Sequence, residues 1–156
     1  MKTNVRTEST TKARDHAYGM SMEDSRGRVL IADIDEAMRD LLIESLKAQG
    51  FFAVGAESAD EVLEKATVSI TSPGRRGEFD AIILDVLLNE ADDFELIEKL
   101  RSKGVNAHII LLSAILSDAM FEKSDRFAPS SILGKPFRLT QLLNLIEGAV
   151  AISQAL

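Results

Sequence analysis

The chain has 156 residues, 46% apolar and 28% charged, which suits one hydrophobic core and leaves little room for a second. A formal net charge of −7 repels phosphate backbones and argues against direct nucleic-acid binding, while the lack of cysteine excludes disulfides, thiolate catalysis and Cys-based metal sites. No apolar run is long enough to span a bilayer and the N-terminus lacks the apolar core of a secretion signal, so a cytoplasmic protein without a membrane partner is expected.

Residues 1–27 are polar, rich in Thr, Ser and charge, and show no sustained period. A flexible polar tail is expected there, followed by one folded unit over 28–156. The run Val29-Leu30-Ile31-Ala32 closes at Asp33, as in a strand buried on both faces. Met38, Leu41, Leu42 and Leu46 then recur at helical spacing, and Gly50 supplies a stop. Phe51 to Val54 reads as a second strand. Ser58 with Glu61 forms a capping box, and Ala59, Leu63, Ala66 and Ile70 predict the buried face of the next helix.

Thr71 to Gly77 reads as a loop. A third strand is expected from about Asp80 to Asp85, and a third helix from near Asp92 that buries Phe94, Ile97 and Leu100. His108 to Leu112 forms strand four, ending at Ser113; a short helix begins at Ser117 and is over by Pro129. Ser131 to Gly134 forms strand five, before Lys135-Pro136. Thr140 is the expected cap of a last helix carrying Leu142, Leu143, Ile146 and Val150. This alternation predicts an α/β fold with a parallel five-stranded sheet and right-handed crossovers.

Four of the five strands end in a polar residue: Asp33, Asp85, Ser113 and Lys135. Singly, such residues are more often caps, turn hydroxyls or solvated charges. In a parallel sheet, however, all carboxyl ends share one edge. In the flavodoxin-like, doubly wound (βα)5 order 2-1-3-4-5, strands one, three, four and five are consecutive, and the rim lies at the switch point where open α/β sheets bind ligands. Carboxylates there favour a hard cation such as Mg²⁺, a carboxylate can attack phosphorus, and an ammonium with a hydroxyl can hold phosphoryl oxygens.

With these residues in place the chain resembles the response regulator receiver domain of two-component signalling, over residues 28 to about 153. The likeness rests on Val29-Leu30-Ile31-Ala32-Asp33, Ile83-Leu84-Asp85 with Phe94-Glu95-Leu96, Leu111-Leu112-Ser113-Ala114, and Lys135-Pro136-Phe137. The resemblance implies that Asp85 is the phosphoacceptor, that Ser113 follows the phosphoryl group and that Lys135 is its charge partner. It implies a Mg²⁺ site from Asp33, Asp85 and the backbone carbonyl of Leu87, and a cis Lys135-Pro136 peptide. It further implies a non-enzymatic signalling module served by a histidine kinase or phosphotransfer protein. Such a module acts on a downstream protein target that the sequence does not name, and a homodimer is compatible with it.

Four positions depart from the family pattern. Ile34 stands where a second acid usually follows strand one, which predicts weakened or lost Mg²⁺ binding. Ile132 replaces an aromatic whose rotation reports phosphorylation; a β-branched side chain cannot make that swing. Asn89 and Asp93 replace a usual Pro and Gly near the site. The expected function is thus a stand-alone receiver in a phosphorelay. The alternative is a phosphorylation-independent pseudo-receiver that serves as an interaction module. Asp33-Ile34-Asp35 also fits the Asp-x-Asp motif of haloacid dehalogenase-like phosphatases, but the acidic pair which that family needs late in the chain is missing.

Overall fold

The apolar runs become five strands alternating with five helices: β1 (Arg28–Ala32), α1 (Glu36–Ala48), β2 (Phe52–Ala56), α2 (Ala59–Thr71), β3 (Ala81–Asp85), α3 (Glu90–Ser102), β4 (His108–Ser113), α4 (Asp118–Asp125), β5 (Ser130–Gly134) and α5 (Leu139–Ala155). This computed structural model describes residues 24–33, 35–71, 78–86 and 90–155, with the backbone alone at 69–71 and 90–93. The expected positions Ile34, Leu87 and Asn89, the stretch 72–77 and most of the predicted tail (1–23) lie outside the described residues, as does the side chain of Asp93.

All strand pairs are parallel, in the order β2-β1-β3-β4-β5, the doubly wound arrangement read from the sequence. Successive residues of β1 point to opposite faces, so Val29 and Ile31 enter one core while Leu30 and Ala32 enter the other. The first core packs Val29, Ile83 and Ile110 against Leu42 and Leu46 of α1 and Leu142 and Ile146 of α5. The second packs Leu30, Ile82 and Ile109 against Val62 and Ala66 of α2 and Ile97 and Leu100 of α3. Burying each large aliphatic side chain contributes about 1.5–3 kcal/mol, so the central strands carry the largest share per residue.

Several helix details differ from the sequence reading. Met38 is 41% and Leu41 is 61% exposed, although both fit the α1 period. One residue along a helix is about 100° around its axis, and the seam that reaches the sheet is the Leu42–Leu46 line. On α2 the buried face is Val62, Leu63 and Ala66, while Ala59 is exposed. Thr140 is not the cap of α5. The helix starts at Leu139, two residues sooner than a Thr140 cap would allow, and the Gln141 side chain accepts the Arg138 backbone N–H at 2.9 Å. Ser58 does cap α2, accepting the Glu61 N–H at 3.2 Å. The Glu61 carboxylate reaches back to the N–H of Glu57 at 3.0 Å.

Gly50 has a φ of 90°, the left-handed conformation that closes α1 and turns the chain into β2. Arg26, just before β1, lies 4.7 Å over the Phe51 ring and pairs with Glu147 of α5 at 2.8 Å. At the amino edge of the sheet, Arg101 of α3 donates to the carbonyls of Val105, Ala107, Phe127 and Pro129, fastening α3 to the approaches of β4 and β5. His108 Nε2 lies 2.7 Å from Ser131 Oγ there, and burial, then the nearby Arg101 charge, lower the imidazole pKa. No described helix is long and apolar enough to cross a membrane.

Candidate functional site

The four polar strand ends meet at the carboxyl edge because the strand register brings them there. Ala32 pairs with Leu84 and Asp85 with Leu112, so Asp33, one residue past Ala32, stands level with Asp85. Ser113 pairs with Gly134, and the Lys135 N–H donates to the Ser113 carbonyl at 2.7 Å. Lys135 therefore leaves the sheet beside the last residue of β4, and its side chain reaches across to β3. Its ammonium donates to Asp85 Oδ2 at 2.6 Å.

The carboxylates are withdrawn from solvent: Asp33 is 3% and Asp85 5% exposed. The Asp33 carboxyl titrates above the ordinary aspartate range, first because burial removes its hydration and then because Asp85 lies beside it. The Asp35 N–H, which donates to Asp33 Oδ1 at 2.9 Å, and the Lys135 ammonium oppose that rise. Two adjacent buried carboxylates against one ammonium make an anion-rich oxygen pocket. Small hard divalent cations commonly take one or two carboxylates, so the donor chemistry of Asp33 and Asp85 fits Mg²⁺. No cluster of three or more His, Cys, Asp or Glu occurs among the described residues, so the set is sparse. Leu87, expected to add a carbonyl, lies outside them.

Ser113 is 5% exposed, and its hydroxyl donates to the Ile115 carbonyl at 2.6 Å while accepting the Ile115 N–H at 3.1 Å. The hydroxyl thus sits at the rim, engaged by its own loop. Ile132 packs partly buried against the core beneath α4. The Lys135–Pro136 peptide is cis, as the resemblance implied, and so is Ala128–Pro129.

Asp35 does not join the site. Its carboxylate caps α1, accepting the N–H groups of Ala37 at 3.0 Å and Met38 at 3.2 Å. The Asp-x-Asp phosphatase motif is thereby broken in space, since its second acid faces a helix terminus. Two residues of this corner escaped the sequence reading. Arg39 of α1 donates to the Asp33 backbone carbonyl at 2.6 Å, and its stem crosses Gly55 of β2. A glycine inside a strand is the sequence signal of such a close approach.

An open doubly wound sheet with acid, hydroxyl and ammonium gathered at its switch-point rim defines a class of α/β folds whose ligands bind at that edge. Comparison with known proteins makes the class specific. The model of the family described as response regulator receiver domain matches residues 29–147, and the chain belongs to that family. It is 24% identical over 120 residues to the response regulator receiver protein CpdR of Brucella abortus, covering 77% of this chain and 93% of that protein. It is 32% identical over 122 residues to the response regulator MprA of Mycobacterium leprae, covering 77% of this chain but 49% of the relative, so it spans about half of that protein's length. Among solved structures it is similar to the response regulator TrrA of Thermotoga maritima, crystallised in complex with Mg²⁺-BeF. That match has 28% identity and a TM-score of 0.63, over 79% of this chain and 98% of the other. Receiver domains are signalling modules that work with histidine kinases or phosphotransfer proteins.

Proposed function

We propose that this receiver domain, taken as residues 28–156 after a polar tail, accepts a phosphoryl group on Asp85 from a phosphohistidine of a kinase or phosphotransfer protein. The observation that carries the reading is the Asp85 carboxylate at the end of β3, buried and held at 2.6 Å by Lys135. In the transfer an Asp85 oxygen attacks phosphorus, the P–N bond breaks as the P–O bond forms, and the imidazole leaves and takes up a proton. Lys135 then passes from the carboxylate to the phosphoryl oxygens, which keeps one ammonium matched to the growing anion. Ser113, at the rim end of β4, donates its hydroxyl to a phosphoryl oxygen after releasing the Ile115 carbonyl. Asp33 and Asp85 would hold Mg²⁺, with the carbonyl of Leu87 as a third donor. The ion would neutralise the phosphoryl oxygens. Ile34 leaves the cation one carboxylate short, so its affinity is low. The output is a change in protein–protein contacts.

The test is a Phos-tag gel after incubation with acetyl phosphate and Mg²⁺. The expected result is a slow band absent from Asp85→Asn and dependent on millimolar cation. A folded wild-type protein without that band refutes the reading and leaves a receiver fold that signals without phosphorylation.

A further inference from the structure

We infer that Arg39 is a positioning residue for Asp33: by gripping the Asp33 main-chain carbonyl from α1, it sets the carboxylate at the cation site. The inference rests on the reading of Asp33 and Asp85 as that site. Asp33 lies one residue beyond the last residue of β1, so ladder pairing no longer fixes it. Its tethers are a long backbone bond from its N–H to the Ala56 carbonyl at 3.3 Å, the Asp35 N–H on its Oδ1 at 2.9 Å, and Arg39 Nη1 on its carbonyl at 2.6 Å. The Arg39 contact is the shortest of these and the charged one, and charge-assisted hydrogen bonds are roughly twice as strong as neutral ones.

The arginine is itself held in place. Its backbone N–H donates to the Asp35 carbonyl at 2.9 Å in the first turn of α1. Its stem lies over Gly55, where an added Cβ would stand 2.9 Å from the Arg39 Cδ and 3.0 Å from the Ile43 Cδ1. Only a residue without Cβ lets the side chain cross β2 so closely. On the far side stands Glu61, whose carboxyl is made more acidic first by Lys65 and, more weakly, by Arg39. Lys65 closes the corner, bridging the Gly55 carbonyl at 2.5 Å and Glu61 at 2.8 Å. Two cations and one carboxylate thus clamp the ends of β1 and β2 together. In a pocket short of one acid, the position of the remaining carboxylate from β1 decides how well a divalent ion is held.

The experiment is a Mg²⁺ titration of the intact chain followed by the backbone amide resonances of Asp85 and Ser113, with urea midpoints recorded in parallel. Outer partners of ligand residues typically change metal affinity 10- to 100-fold. Arg39→Ala is expected to raise the half-saturating Mg²⁺ about ten-fold. Arg39→Lys, which keeps a donor and the charge, should recover part of that. Gly55→Ala should weaken Mg²⁺ binding in the wild-type background and add little in Arg39→Ala, because it acts by displacing the same stem. Half-saturation within two-fold of wild type in a folded Arg39→Ala protein overturns the inference and leaves the site reading intact. A folded wild-type protein whose amides do not respond to Mg²⁺ at all overturns the site reading, and the inference with it.

Discussion

Removing the ammonium from the rim tests the electrostatic logic of the site most directly. Lys135 and Asp85 lie 2.6 Å apart, with side chains 27% and 7% exposed. At an effective dielectric of 20 that separation corresponds to about 6 kcal/mol of gross attraction, of which the desolvation of both groups offsets a large part. Breaking a fully buried pair costs about 3–5 kcal/mol, and the partial exposure of Lys135 reduces this to about 2–3 kcal/mol for Lys135→Met. Asp85→Asn behaves differently. It loses the same attraction but also relieves the repulsion from Asp33, so its stability is expected within about 1 kcal/mol of wild type. The double variant should therefore be more stable than the sum of the single effects, with a coupling of about 1–3 kcal/mol. Urea unfolding of the four proteins at neutral pH without divalent cation measures the cycle. Additivity within about 0.5 kcal/mol would show that the ion pair is not energetically coupled and would refute the reasoning.

Asp33 binds its proton more tightly in the folded chain than in the unfolded one, so its contribution to stability is present at low pH and is lost as pH rises through the raised folded pKa. Asp33→Asn should thus stabilise the metal-free protein at neutral pH, and Mg²⁺ should raise the melting midpoint of wild type but not of this variant. His108 has the opposite linkage: its folded pKa is depressed by burial and Arg101, so stability held above the ordinary imidazole range falls as pH drops through it. The slope of urea stability between about pH 7 and 5 should flatten in His108→Gln. Arg101→Met strips the donor from four carbonyls and should cost about 3–5 kcal/mol, read as a fall in the thermal midpoint of roughly 10 °C. A loss below about 1 kcal/mol would show that water replaces the guanidinium there.

The parts legible in the sequence are those governed by short-range rules. Continuous apolar runs such as Ile82-Ile83-Leu84 announced doubly covered strands, and their polar terminators announced the rim. The parts that were not legible turn on which way a helix faces and what a side chain reaches. Leu41 fits the period of α1 yet lies outside it, because the helix rotates to seat Leu42 and Leu46. Thr140 is a good capping residue, but the adjacent Gln141 reached the Arg138 N–H and the helix began two residues sooner. Asp35 looked like half of an acidic motif, yet it faces the free N–H groups of α1, where a carboxylate is stabilised by the helix terminus.

The sequence by itself determined the class of fold, because the strand and helix periods and the strand-ending Asp33, Asp85, Ser113 and Lys135 are local properties of the chain. Only the tertiary structure decided how those residues act on one another. The distance from Lys135 to Asp85, the raised pKa of Asp33 and the grip of Arg39 on its carbonyl arise between segments far apart in sequence or on different elements. The physical reason is that hydrogen bonding and charge interactions depend on separations of a few ångströms and on the loss of water, and both exist only after the sheet has closed its register.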